Sequence, residues 1–460
     1  MTTHYDFVIL GGGPAGLGAA YRLADTGRSV CVVERELYAG GLASSFEVAG
    51  VRVDHGSHRL HPTTPPPIMA LLRELLGADL QRRPRHGRIR MAQRFVAFPP
   101  KPTDLIRRLP PRLSSRLAVD VTTGPFRRAR EDTFAEQVRA SLGPTLAARF
   151  YAPYVEKLFG ASADELSGEL ARRRVGARSS RELVRRVVRP DPERRVFYYP
   201  RRGYGQIPDV LADAGTARGA HIELGTEVVA IDIAEAGITV RTAAGAEIRA
   251  DALWSTLPLA LLARLAAAPD YVTAAADQLE SRALVLVYLA LPVPQWTDYD
   301  AHYFPEADVA LSRISEPKNY RESKDDPKDV TVLCAEVPCT VGDETFTADT
   351  DDLAARIRDD LARSALATPE PIDVFVKRVA RAYPVYRIGY REAFDVLDGW
   401  ASRLPNCLHF GRQGLFAHDN THHALAMAWA ATDAVGADGS VDRERWADAR
   451  RVFASHVVED

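Results

Sequence analysis

Apolar residues occupy 7–10 without interruption, and a second apolar run over 29–33 ends at Glu34. Between them an alanine-rich segment reaches about Asp25. Short apolar runs around a helical segment predict buried strand, helix, buried strand. From about Thr63 to Pro190 the spacing turns helical, with Ile68, Leu71, Leu72, Leu75 and Leu76 on one face. Proline clusters at 99–102 and 110–111 break it, so a mostly helical insertion is expected. A helix over 209–214 then precedes alternating, strand-like segments at 222–226, 227–233 and 237–242. Residues 284–291 read as a buried strand and 321–330 as a loop. A helix over 392–400, a strand over 407–410 and an apolar helix reaching Val435 close the pattern. This order predicts an α/β chain.

The turn after the first strand carries Gly11, Gly13 and Gly16 in G-x-G-x-x-G spacing, with Pro14 and Ala15 between the last two. Such glycines let the backbone approach a pyrophosphate at the positive end of a helix. Glu34, about 20 residues on, suits a ribose hydroxyl. Strand, turn, helix, strand and acid together predict dinucleotide binding, against the alternative of a purely structural glycine turn. At 460 residues the chain suits two intertwined domains rather than one simple core. A net charge of -2 gives no general pull toward nucleic acid or membrane. No run of eighteen apolar residues predicts a membrane span, and the N-terminus enters a strand without a signal-like segment. Cys31, Cys334, Cys339 and Cys407 form no metal spacing or disulfide framework. They read as packing residues in a reducing cytoplasm.

Six residues after Glu34 comes Gly40-Gly41, then Leu42. The residues alone imply only a dinucleotide, but an acid followed by this doublet resembles the flavoproteins of the amine oxidase, phytoene desaturase and UDP-galactopyranose mutase group. That resemblance implies FAD, held by Gly11, Gly13, Pro14, Ala15, Gly16, Glu34, Arg35, Gly40, Gly41 and Leu42. The implied fold is a Rossmann-like, glutathione-reductase-type FAD domain with an inserted α+β substrate domain. The insert would contain a helical subdomain and an antiparallel sheet. Residues 1–80, 196–270 and 401–460 would build the FAD domain, 81–195 the helical insertion and 271–400 the substrate sheet. Val228 falls where that group's backbone meets the adenine.

Further motifs bear on the chemistry. In Val53-Asp54-His55-Gly56-Ser57-His58-Arg59-Leu60-His61, small residues would let backbone lie against a flat ring, and His58 and His61 could face one pocket. A histidine-rich surface turn is the alternative. The segment resembles the G-A-H-x-x-H stretch beside the isoalloxazine of the mutases and the G-G-H stretch of desaturase-like relatives. The many arginines of the insertion suit a solvated face, with a minority free to form an anion pocket. Clustered aromatics at 150–159 followed by arginines suit helix core, or a nucleobase with its phosphates. Their order resembles the mutases' Y-T-x-K-x-W-G segment. This places Tyr154 on the uracil-contacting tyrosine, Phe159 on a pocket tryptophan, and Arg174 or Arg178 on a mobile-loop arginine that reaches the pyrophosphate. Leu311 to Tyr320 resembles T-R-I-x-E-x-K-H, making Arg313 a second diphosphate ligand; the alternative is a surface pair with Glu316. No lysine lies in 283–294, where amine oxidases carry one, and Leu286 holds that position. Tyr383 and Tyr386 fit the mutases' Y-P-x-Y. Gly411-Arg412 is the mutase-like form of a flavin-contacting motif, with His418 in place of a tyrosine and Asn420 in place of an aspartate. His422-His423, being adjacent, offers no i, i+4 metal pair, and no metal is predicted.

The resemblance implies a flavoenzyme acting on a nucleotide-activated sugar, by pyranose/furanose isomerisation like that of UDP-galactopyranose mutase. In that family the reduced flavin N5 is the nucleophile, so reduced FAD would be the active form, with His58 and His61 near the sugar. The alternative is an FAD-dependent oxidase or desaturase of a small secondary metabolite, similar to protoporphyrinogen oxidase. A flavin-binding protein without catalysis is a third reading. The expected partner is an anionic small molecule, a nucleotide sugar, in the cytoplasm, and no oligomeric state follows from the pattern.

Overall fold

The computed structural model describes residues 4–99, 101, 104, 107–175, 182, 185, 189 and 191–458. The strand His4–Leu10 (β1) is buried over its last four residues and lies inside a seven-stranded sheet. It pairs in parallel with Val30–Val33 (β2) on one side and with Glu247–Ser255 on the other. His221–Glu223 extends the sheet beyond β2 in parallel, while Gly237–Thr242 and Val228–Ala234 continue it antiparallel beyond Glu247–Ser255. Cys407–His409 joins in parallel along the second half of Glu247–Ser255. Apolar side chains alternate between two cores because successive residues of a strand point to opposite faces. Phe7, Ile9, Val30, Val32 and Trp254 share one core with Met427 and Ala428, and Val8, Leu10, Cys31, Val33 and Leu253 share the other with Leu262 and Leu397.

The helix Pro14–Asp25 (α1) starts with proline in its first turn, where the missing N–H costs nothing. It packs closely on the helix Thr421–Asp433: a Cβ at Gly18 would come within 3.0 Å of Leu425 and 3.1 Å of Trp429.

A second seven-stranded sheet runs, in spatial order, Asp373–Pro384, Ser281–Leu291, Thr331–Cys339, Arg313–Ser315, Ala301–Tyr303, Gly87–Met91 and Arg94–Phe98. All its pairings are antiparallel except that of Ala301–Tyr303 with Gly87–Met91. Ser281–Leu291 reads as a continuous apolar run because both its faces are covered. Val285, Val287 and Leu289 pack with Leu353, Ile357 and Leu361, and Leu284, Leu286 and Tyr288 pack with Val51 and Val53.

The mostly helical reading of 63–190 needs one correction. The segment opens on the expected helix, Pro66–Leu76, with Ile68, Leu71, Leu72 and Leu76 buried, but Leu80–Pro84, Gly87–Met91 and Arg94–Phe98 after it are strands, the first paired with Val196–Pro200. In Gly87–Met91 the arginines alternate with Ile89 and Met91, and pairing with distant strands overrides the helical spacing before these segments. Some of its arginines are enclosed in ion pairs with carboxylates. Arg90 is buried against Glu306 and Asp308 at 2.8 and 2.6 Å, and Arg173 against Glu169 at 2.8 Å. All four cysteines are free and buried. Among the described residues no helix is long and apolar enough to cross a membrane.

Candidate functional site

The glycine turn is built around close approach. A Cβ on Gly16 would sit 2.0 Å from the Gly11 carbonyl oxygen, so only glycine lets α1 lie this near β1. Gly11 has φ +100, and its N–H donates to the Val33 carbonyl at 2.9 Å. Gly13 differs: a Cβ there would meet nothing within 4 Å, and one on Gly41 would meet only the Gly13 Cα, at 3.7 Å. Gly13 and Gly41 thus border an open slot at the start of α1, whose N-terminus has no side-chain cap. Gly40, at φ +106, ties the second glycine pair to the first by donating its N–H to the Gly12 carbonyl at 2.7 Å. Glu34 is buried, and its carboxylate accepts the N–H of Gly12 at 2.7 Å and of Glu36 at 2.9 Å. Two accepted bonds leave lone pairs for ribose hydroxyls. Pro14 opens α1, and Ala15 is buried under Gly411, where a Cβ would come within 3.0 Å of it. Arg35 is exposed beside Glu36, and Val228 opens an edge strand of the same sheet. An uncapped helix N-terminus, an open glycine cradle and a buried acid fit the pyrophosphate and ribose of a dinucleotide.

Leu42 leads from this slot into a cavity lined by several separate segments. They bring together His55, Gly56, Ser57 and His58; Tyr154 and Arg174; Arg313 and Glu336; Ala382 and Tyr383; and Arg412, His418, Asp419 and Asn420. Three guanidinium groups face two carboxylates here. Arg313 donates through Nε and Nη2 to the two oxygens of Glu336, both at 2.9 Å, and Glu336 also accepts the Ser57 N–H at 2.8 Å. Burial disfavours the Arg313 charge, but Glu336 and the tyrosine oxygens of Tyr303 and Tyr383 outweigh it and raise its pKa well above the usual value. The expected alternative partner, Glu316, is instead buried and accepts the N–H groups of Trp296 and Thr297 at 2.8 and 3.0 Å. The guanidinium carbons of Arg174 and Arg412 each lie 5.7 Å from the centre of the Tyr383 ring. Arg412 Nη2 also donates to the Ala382 carbonyl at 2.6 Å.

The cavity histidines are neutral. Burial, with the charges of Arg313 and Arg412 nearby, lowers the His58 pKa to about 3, and its ring stacks on Tyr204 at 5.2 Å. His418 is pushed well below its ordinary value by burial and then by Arg174, Arg412 and Arg173. It stands edge-on to Phe159 at 5.5 Å and to Tyr386 at 4.9 Å. Phe159 and Tyr386 are themselves buried behind the lining, and Tyr386 donates its hydroxyl to the Phe416 carbonyl at 2.8 Å. They shape the wall without forming it. His61 parts from His58: it is buried, its Nδ1 lies 2.6 Å from Thr63 Oγ1, and its ring stacks on His422 at 5.9 Å. Asn420 both borders the cavity and caps the helix Thr421–Asp433, its side chain accepting a first-turn N–H. Arg178 lies outside the described residues. Glu336 and Asp419 were missed; the available signal for Glu336 was a lone acid inside the apolar strand Thr331–Cys339.

The sequence model of the family described as "Flavin containing amine oxidoreductase" matches residues 14–427. The chain belongs to that family. This amine oxidoreductase relative is an FAD-dependent enzyme, and its glycine cradle, acid and cavity fit that cofactor. Comparison with curated proteins found no match. Among solved structures, the flavoenzyme is similar to reduced UDP-galactopyranose mutase, with a TM-score of 0.81 at 22% identity over 99% of this chain and 100% of that one. It is also similar to a protein assigned as a protoporphyrinogen oxidase from Exiguobacterium sp. 255-15, with a TM-score of 0.73 at 18% identity over 94% and 99% of the two chains. Putrescine oxidase bound to putrescine follows, with a TM-score of 0.65 at 16% identity over 99% and 100%. At these identities the likeness is one of fold.

Proposed function

We propose that this flavoenzyme acts on a nucleotide-activated sugar and interconverts its pyranose and furanose forms. One observation carries the reading: Arg174, Arg313 and Arg412 line the same cavity as Tyr154, Tyr383 and His58. Guanidinium forks match phosphate oxygens, and a tyrosine face suits a nucleobase. Bound FAD, in its reduced form, would supply the electron-rich nucleophile. The chain's own residues then bind and orient. Arg174 and Arg313 would hold the diphosphate, with Glu336 fixing the plane of the Arg313 guanidinium. Tyr154 would meet the nucleobase, and Tyr383, whose pKa burial raises, would stay a phenol able to donate to a phosphate oxygen. His58, neutral in the working pH range, would hydrogen-bond a sugar hydroxyl rather than carry a proton through the reaction. With the cofactor as nucleophile, none of these side chains would need to act as the attacking group. No lysine borders the cavity among the described residues, which favours this reading over an amine oxidation that uses one. The free, buried cysteines support a cytoplasmic setting.

The test is an anaerobic titration of the reduced holoenzyme with nucleoside diphosphate sugars. Binding should perturb the reduced-flavin spectrum and slow its reoxidation when air is admitted. A substrate that instead bleaches the oxidised flavin and yields peroxide would make this an oxidase.

A further inference from the structure

Asp419 borders the cavity, yet its side chain is fully buried and, among the described residues, neither carboxylate oxygen accepts a hydrogen bond. A buried carboxylate in that position is costly unless a cation lies beside it. Two imidazoles stand close. Asp419 Oδ1 is 3.5 Å from His423 Nδ1 and 3.3 Å from His456 Nδ1. One donor atom from each of the three residues falls within 4.8 Å of the others. His423 cannot neutralise the acid through Nδ1, because that nitrogen accepts the Asn420 N–H at 3.2 Å and so carries a lone pair, with the ring proton on Nε2. His456 Nδ1 also has no hydrogen-bond partner among the described residues.

We propose that Asp419, His423 and His456 bind one divalent transition-metal ion of the zinc type, with a further coordination position open to the flavin cavity. Two imidazole nitrogens and one carboxylate oxygen are the donor set that such ions take. With metal–ligand bonds of about 2.0–2.1 Å, a tetrahedral ion separates its ligands by roughly 3.3–3.4 Å, close to both Asp419–histidine distances. Asp419 and His423 sit four residues apart where the chain enters the helix Thr421–Asp433, a spacing the adjacent His422-His423 pair lacks. His456 arrives from the segment after the helix Arg443–Phe453, which is anchored nearby by the Val458 N–H on the Arg173 carbonyl at 2.8 Å. The His423 and His456 rings are stacked at 4.2 Å and 15°, so binding turns at least one of them about its Cβ–Cγ bond, and because an imidazole nitrogen has a single lone pair, an ion on His423 Nδ1 displaces the Asn420 N–H that it accepts. The site is independent of which reaction the flavin performs.

Full-length, FAD-loaded protein would be stripped with a chelator, desalted, and dialysed against Zn2+ with metal analysis. Co2+ titration would be followed in the visible region beyond the flavin band. One ion per chain should bind, and Co2+ should give intense tetrahedral-type absorption. Asp419→Asn and His456→Ala should each weaken binding by at least about tenfold, with circular dichroism melts of each variant showing that it remains folded. Substoichiometric binding to the wild type, or one-ion binding that survives both substitutions, would overturn the site.

Discussion

Replacing Gly13 by alanine separates the cofactor slot from the fold that surrounds it. Gly13 has φ -77 and ψ 178, a conformation open to any residue, and its added methyl would meet no atom of the described residues within 4 Å. Losing glycine at a helix N-cap costs a few tenths to about 1 kcal/mol, and the lower entropy of the unfolded chain returns about 0.4–1 kcal/mol. The apoprotein should therefore keep its stability within about 0.5 kcal/mol. The methyl would occupy the slot where a pyrophosphate must touch backbone. Losing one charge-assisted hydrogen bond there costs about 1.5–3 kcal/mol, a ten- to hundredfold rise in the Kd for FAD. Gly16→Ala is the contrasting control. Its methyl would press 2.0 Å from the Gly11 carbonyl oxygen, so the apoprotein itself should be destabilised. Circular dichroism melts of the apoproteins and flavin fluorescence titrations measure both quantities. If Gly13→Ala binds FAD as tightly as the wild type, or melts as early as Gly16→Ala, the assignment of this slot is refuted.

Arg174→Ala should weaken nucleoside diphosphate binding ten- to hundredfold, the loss of about one charge-assisted hydrogen bond, while leaving FAD affinity unchanged in the same titrations. Glu336→Gln leaves the enclosed Arg313 charge poorly compensated; urea unfolding should show a loss of about 3 kcal/mol. The acid limb of stability reports on Asp398, which meets His409 Nε2 and Arg450 Nη2, both at 2.7 Å. Burial alone would raise its pKa, but those two partners bring it down from 3.8 to about 2. A folded pKa below the unfolded one contributes stability that is full above 3.8 and is lost as pH falls toward 2. The stability difference between wild type and Asp398→Asn should therefore shrink by about 1 kcal/mol between pH 6 and pH 3, and a constant difference would contradict this.

Features that depend on near neighbours were legible in the chain. Gly11, Gly13, Gly16 and Glu34 belong to one strand–helix–strand unit, so their spacing alone foretold the slot. The long apolar stretch that became Ser281–Leu291 declared its burial in the same way. Distant pairings were not legible. The arginine-rich strand Gly87–Met91 has a pattern that also suits an exposed surface, and only its pairing with Ala301–Tyr303 settles it. Glu316 looked like the partner of Arg313 because it is near in sequence, yet the neighbouring strand presents Glu336 directly opposite. His58 and His61 look equivalent in the chain, but the first opens on the cavity and the second turns toward His422. The approach of His456 to Asp419 depends on how the last helix folds back, which local spacing does not encode.

The most direct measurement mixes chemically reduced holoenzyme with a nucleoside diphosphate hexopyranose without oxygen and separates the products. A furanose isomer of the same mass should form, only while the flavin is reduced and without net change in its oxidation state. An oxidised sugar or other dehydrogenated product, formed from the oxidised enzyme with peroxide released in air, would contradict the proposed isomerisation.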